Sequence, residues 1–167
     1  GIIRFSEAEL TEWVQLFEQE RGALSILKMV PASGAATRMF KSLFEHLTSG
    51  ESNKESRLFF EKLEAFAFYP ALKSWITQES EELDVLARLL ASPGLEYGVL
   101  PKGLLDFHAY ASGARTPFEE HLVEAALYAS DGKVARLHFT VSPEHRSRFE
   151  SLACLLYTSP SPRDAHE

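Results

Sequence analysis

Residues 27–41, LKMVPASGAATRMFK, pass from an apolar run through six small or ring-constrained residues into an amphipathic pattern. Leu24 to Val30 is short and apolar, branched at Ile26 and Val30, and bounded by Gly22 and Pro31; this predicts a buried strand. Pro31 to Ala36 predicts a loop of small residues. From Thr37, the residues Met39, Phe40, Leu43, Phe44 and Leu47 recur at helical spacing as far as Gly50, which predicts a helix. A strand, small-residue loop and helix in this order bring open backbone amides to a helix N-terminus, whose partial positive charge attracts anions. Arg38 adds a forked cation suited to phosphate. The spacing is neither G-x-x-x-x-G-K-[ST] nor G-x-G-x-x-G. Small residues also serve close packing, so a tight structural turn accounts for the loop equally well.

On the N-terminal side, Ser6-Glu7-Ala8-Glu9 reads as a capping box, followed by Leu10, Trp13, Val14 and Phe17 at helical spacing, with Gly22 as the stop. On the C-terminal side, residues 51–96 read as a helical insertion. Leu58, Phe59, Leu63, Phe66 and Ala67 predict one aromatic helix ended by Pro70, and Leu83, Leu86, Ala87, Leu89 and Leu90 predict another before Ser92-Pro93-Gly94. These aromatic residues are assigned to the core. Pro101-Lys102-Gly103 precedes Leu104 to His108, a predicted short strand. Thr116-Pro117-Phe118-Glu119 reads as a second capping box with proline at the first helical position. The helix it opens runs to Asp131-Gly132. Val134 to Val141 alternates like a strand, and Ser142-Pro143 opens a last helix. This final alternation predicts βαβ packing.

The chain has 167 residues and a formal charge of −7, with 45% hydrophobic and 25% charged residues. That composition fits one globular domain and excludes disorder and collagen-like repeats. No apolar run approaches the ~20 residues of a membrane helix, so no membrane association is expected. The acidic balance argues against nucleic acid as a partner. Cys154 is the single cysteine, so no internal disulfide or thiolate cluster forms within one chain. A cytoplasmic location is expected.

Both termini carry an expectation of foreign or missing sequence. The chain begins at Gly1 inside GIIRFSEAEL, as though an upstream piece were missing. Cys154 to Asp164, CLLYTSPSPRD, matches the translation of a sequencing-library transposase adapter. Residues 154–167 are therefore expected to be non-native, and residues 1–153 to be the N-terminal part of one domain carrying −6.

Ala32-Ser33-Gly34-Ala35-Ala36-Thr37-Arg38-Met39 is similar to the A-G-G-x-G-T-R-M loop of nucleotide-sugar pyrophosphorylases and related nucleotidyltransferases. In those enzymes the loop follows the first strand of a Rossmann-like domain. Pro101-Lys102-Gly103-Leu104-Leu105 resembles the P-K motif that they pair with it. VPASGAATRMFK, LPKGLL, RTPFEEHLVEAALYA and LHFTVSPEH, spread over 27–149, resemble hallmarks of the bacterial domain-of-unknown-function family numbered 4301.

The resemblance implies an α/β fold of the Rossmann-like, three-layer nucleotide-diphospho-sugar transferase type, with a helical insertion and a truncated C-terminus. It implies that Ala32, Ser33, Gly34, Ala35, Ala36 and Thr37 hold the phosphates of a nucleoside triphosphate. Arg38 would neutralise the departing pyrophosphate, and Lys102 would offset charge on the attacking sugar phosphate and the α-phosphoryl group. It also implies Mg2+. The aspartate that holds the metal in those enzymes lies further along their chains, and neither Asp106 nor Asp131 matches it. Ser33 and Ala36 stand where the enzymes have glycine, and the stretch from Met39 to Pro101 is longer than theirs.

Against these roles stand simpler ones: Arg38 in a surface ion pair such as that with Glu45, and Lys102 as a solvated lysine after a turn proline. The histidines His46, His108, His121, His138, His145 and His166 show no metal-ligand spacing. Glu120, His121 and Glu124 share one helix, without the second such helix that a two-metal site needs. His138 is read as a half-buried strand residue. The function expected is magnesium-dependent transfer of a nucleotidyl group to a sugar phosphate with release of pyrophosphate. Two alternatives stand beside it: a non-catalytic nucleotide or phosphosugar sensor, and a partner-binding protein acting through the aromatic helices between Leu58 and Leu90.

Overall fold

A computed structural model of the chain describes residues 2–158; residues 159–167, most of the adapter-like segment, lie outside the described residues. The fold is mixed α/β, with seven helices and two small sheets among the described residues. In chain order the elements are α1 (Glu7–Glu20), β1 (Lys28–Pro31), α2 (Lys41–Ser49), α3 (Lys54–Glu61), α4 (Tyr69–Lys73) and α5 (Glu82–Leu90). They continue with β2 (His108–Tyr110), β3 (Gly113–Arg115), α6 (Pro117–Tyr128), β4 (Leu137–Thr140) and α7 (Arg146–Thr158). No helix among the described residues is long and apolar enough to cross a membrane. The chain divides into two compact units. The smaller takes residues up to Val30 together with Glu119–Phe139, and the larger takes Pro31–Phe118 and residues from Thr140 onward.

In the smaller unit the expected capping box opens α1. Ser6 Oγ accepts from the Glu9 amide at 3.3 Å, and Glu9 Oε2 accepts from the Ser6 amide at 2.8 Å. The apolar residues Leu10, Trp13 and Val14 of α1 are exposed. β1 begins at Lys28 rather than Leu24, and only Val30 of it is buried, Met29 being exposed. β1 pairs with β4. The Lys28 amide donates to Arg136 O and the Ala32 amide to Thr140 O, both at 2.9 Å. Partners that advance together along both strands mark a parallel pair.

The expected strand Leu104–His108 is a 3₁₀ turn at Lys102–Leu104 followed by β2. β2 pairs antiparallel with β3 and not with β4, so the predicted βαβ unit is absent among the described residues. The reason is local: Gly113 takes φ +129°, a conformation natural only to glycine, and the chain doubles back at once. β4 keeps the predicted alternation, with Leu137 and Phe139 half-buried and His138 and Thr140 exposed. Pro117 is the first residue of α6, as expected.

The core of the larger unit joins Ala36, Phe40 and Leu43 to Phe59, Phe68, Leu72, Leu86, Leu89 and Leu105. The elements between residues 51 and 96 are helical. α3 stops at Glu61, however, and a 3₁₀ turn at Leu63–Ala65 replaces the single aromatic helix expected to run to Pro70. Pro70 instead lies in the first turn of α4, where its missing N–H is no loss. Asn53 caps α3 from the Ser56 amide at 2.8 Å, and its Nδ2 donates to Ser42 O of α2 at 2.7 Å.

Two carboxylates of the smaller unit tie its elements together. Glu124 on α6 accepts from Lys28 Nζ of β1 and meets His121 Nδ1 at 3.1 Å. These partners hold its carboxyl at about 2, from an ordinary 4.5. Asp131 accepts from the amides of Val134 and Lys133 at 2.7 and 2.9 Å and from Arg136, which holds it at about 2 as well. Both values are depressed, so this stabilisation is complete above the ordinary carboxylate range and is lost as pH falls toward about 2. Glu124→Gln is expected to lower stability near neutrality by about 0.5–1 kcal/mol, as for a half-exposed pair. It should also flatten the fall in melting temperature between about pH 5 and pH 2, measured by thermal unfolding.

Candidate functional site

The loop after β1 and the segment from Pro101 come together in the larger unit. Ala35 and Pro101 form an antiparallel bridge, and the Lys102 amide donates to Gly34 O at 2.9 Å. Pro101 has no N–H to give, so the next residue supplies the bond. The two motifs that the resemblance pairs are thus adjacent.

Within the loop, packing and presentation are divided. Ala32 and Ala36 are buried, and Ala36 begins a row that continues through Phe40. Ser33, Gly34, Ala35, Thr37 and Arg38 are exposed. Among the described residues the amides of Ser33, Gly34, Thr37 and Arg38 donate no hydrogen bond. Thr37 to Phe40 form a turn closed by the Met39 amide on Ala36 O at 2.8 Å, and α2 starts only at Lys41. The expectation of a helix from Thr37 is therefore corrected. The Met39 amide bonds three residues back, a tighter turn than the α-helix makes, and Ala36 and Phe40 are both buried. The dipole of α2 acts one turn further on than expected, and the open amides belong to the loop itself.

Arg38 and Lys102 are both exposed, and neither forms an ion pair among the described residues. Glu45, the partner considered for Arg38, lies 3.6 Å from Lys41 instead. Two unpaired cations and a row of open amides can receive a multiply charged anion.

Gly34 and Gly103 are glycines for different reasons. A Cβ on Gly34 would meet nothing within 4 Å, so packing does not require glycine there. A Cβ on Gly103 would lie 3.2 Å from the Phe149 ring and 3.6 Å from Ala32 O. Phe149 is itself buried, edge-on to Phe118 at 5.3 Å. Gly103 thus lets the Pro101–Leu105 segment close beneath the loop.

The remaining candidates are placed elsewhere. His46 is buried edge-on to Phe60, 3.6 Å from Glu82. His108 and His138 are exposed, whereas His138 was expected to be half-buried. His121 and Glu124 belong to the Lys28 cluster described above. His166 lies outside the described residues. Asp131 is engaged by its own turn. No three His, Cys, Asp or Glu among the described residues converge on a metal position.

Sequence reasoning missed a cavity of about 400 Å³ lined by Met39, Glu55, Phe59, Phe66, Asp106 and Phe107, among others. The available signal was Phe66-Ala67-Phe68, two aromatic residues around a small one, which the helix reading absorbed into the core.

Gly34→Val is expected to leave stability within about 0.5 kcal/mol of the parent, as at an open surface position. Gly103→Val should cost about 1–3 kcal/mol through overpacking against Phe149. Paired thermal or denaturant unfolding of the two variants checks this contrast.

Nothing matches among curated proteins or among solved structures. A family profile described as "Domain of unknown function (DUF4301)" matches residues 1–159, close to the whole chain. The chain belongs to that family.

Proposed function

We propose that the protein is nucleotidyltransferase-like, transferring a nucleotidyl group to a sugar phosphate with release of pyrophosphate. Its domain would be related to the Rossmann-like nucleotide-sugar pyrophosphorylases. The observation that supports this reading is the joining of Gly34 and Ala35 to Pro101 and Lys102, which sets two unpaired cations and a run of open amides in one segment pair. In this reading the amides from Ser33 to Thr37, with Ala32 and Ala36 as packed supports, hold the phosphates of a nucleoside triphosphate. Arg38 neutralises the leaving pyrophosphate. Lys102 draws the sugar phosphate and the α-phosphoryl group together by reducing their mutual repulsion. Such a transfer rests on positioning and charge and needs no protein nucleophile. The magnesium ion that the resemblance implies meets no converging ligand set among the described residues.

A second reading is a non-catalytic sensor of nucleotides or phosphosugars. It is favoured by Ser33 and Ala36, which stand where the similar enzymes have glycine.

Pyrophosphate release, followed with magnesium across nucleoside triphosphates and sugar phosphates, separates the two. Arg38→Ala and Lys102→Ala should each lower the rate about 10- to 150-fold, the worth of one charged contact at about 1.5–3 kcal/mol, with folding intact. Nucleotide binding without release would favour the sensor. Neither binding nor release would overturn both.

A further inference from the structure

The two segments that meet at Ala35 and Pro101 run on into the walls of one cavity. After Arg38 the chain supplies Met39 and Phe40 to it, and after the Lys102–Leu104 turn it supplies Asp106 and Phe107. Phe59, Phe66 and Phe68 line it as well, and all of these residues belong to the larger unit. At about 400 Å³ the cavity has the size of a small-molecule pocket. Its rings are already ordered: Phe59 and Phe66 have centroids 5.3 Å apart at 26°, and Phe66 and Phe68 have centroids 5.1 Å apart at 7°. Phe66 nevertheless remains 37% exposed. An aromatic stack left open in this way can accept a further flat ring.

The charge of the cavity is opposite to that of the loop. Glu55 and Asp106 line it, and no Lys or Arg among the described residues does. Glu55, in the first turn of α3, is exposed and makes no hydrogen bond or ion pair among the described residues. Asp106 is fixed by its amide, which donates to Tyr97 Oη at 3.0 Å. An ionised carboxylate only accepts hydrogen bonds, so the cavity repels phosphate and suits a ring edge that carries N–H donors.

We infer that this cavity holds the base of the nucleotide whose phosphates lie on the loop, and that it selects a base with an exocyclic amino group over uracil. The inference rests on the proposed function, because it assumes that the loop binds phosphate. Aromatic rings stack the base, and Glu55 accepts from its amino group. Uracil has no amino group, and its one ring N–H is flanked by two carbonyl oxygens that meet the same carboxylates, so it is disfavoured.

Equilibrium binding of ATP, GTP, CTP, UTP and tripolyphosphate to the full chain tests this. Ala67→Trp, which fills the cavity, should weaken the amino-bearing nucleotides at least about tenfold and leave tripolyphosphate unchanged. Glu55→Gln alters an exposed side chain without changing its size, and should weaken the same nucleotides about tenfold, the loss of one charged hydrogen bond, while sparing UTP and tripolyphosphate. If Arg38→Ala abolishes nucleotide binding while both cavity variants bind every nucleotide as the parent does, the cavity is not the base site and the proposed function stands. If the parent binds neither nucleotides nor tripolyphosphate, the proposed function falls and the inference with it.

Discussion

The bond from the Lys102 amide to Gly34 O is the contact on which the candidate site depends. It joins segments far apart in sequence, and closing so long a loop carries an entropic penalty that the bond alone cannot offset. Burial supplies the rest: Ala36, Leu105 and Pro101 are almost wholly buried around the bridge, and Gly103 allows Phe149 to close beneath it. The site is therefore held by the core of the larger unit. Its exposed residues contribute nothing to that core. This separation lets the same loop carry structure through Ala32 and Ala36 and remain open at Ser33, Gly34 and Thr37.

The same division extends to charge. The loop and the Lys102 turn present cations and amides, while the cavity beyond Met39 and Asp106 presents carboxylates and rings. A ligand with an anionic end and a donor-bearing aromatic end matches both in one orientation and neither in the reverse. That polarity gives the proposed nucleotide reading its specificity.

Much of this was legible in residue order. The capping box at Ser6 and Glu9, proline opening α6, the alternation of β4 and the helical nature of residues 51–96 all follow from local rules, and local rules suffice for them. The pairing of the loop with Pro101-Lys102 came from resemblance, since no local pattern specifies a contact of that range. What failed was governed by tertiary packing. The start of α2 moved from Thr37 to Lys41, the residues before it forming a turn closed three residues back on Ala36 O. The aromatic helix broke at Glu61 because stacking Phe66 on Phe59 and Phe68 needs a turn that helical periodicity hides. β1 found its partner in β4 rather than in a sequence neighbour, and strand partners so far apart leave no mark in either strand's own composition.

The central claim is that the amides of the loop bind phosphate. The most direct measurement is an amide-resolved NMR titration of the full chain with tripolyphosphate. Binding at this site predicts saturable shifts concentrated at Ser33, Gly34, Ala35, Thr37 and Arg38, with a matching change at Lys102. Millimolar ligand that leaves these amides unmoved, or that moves amides elsewhere in their place, would contradict it.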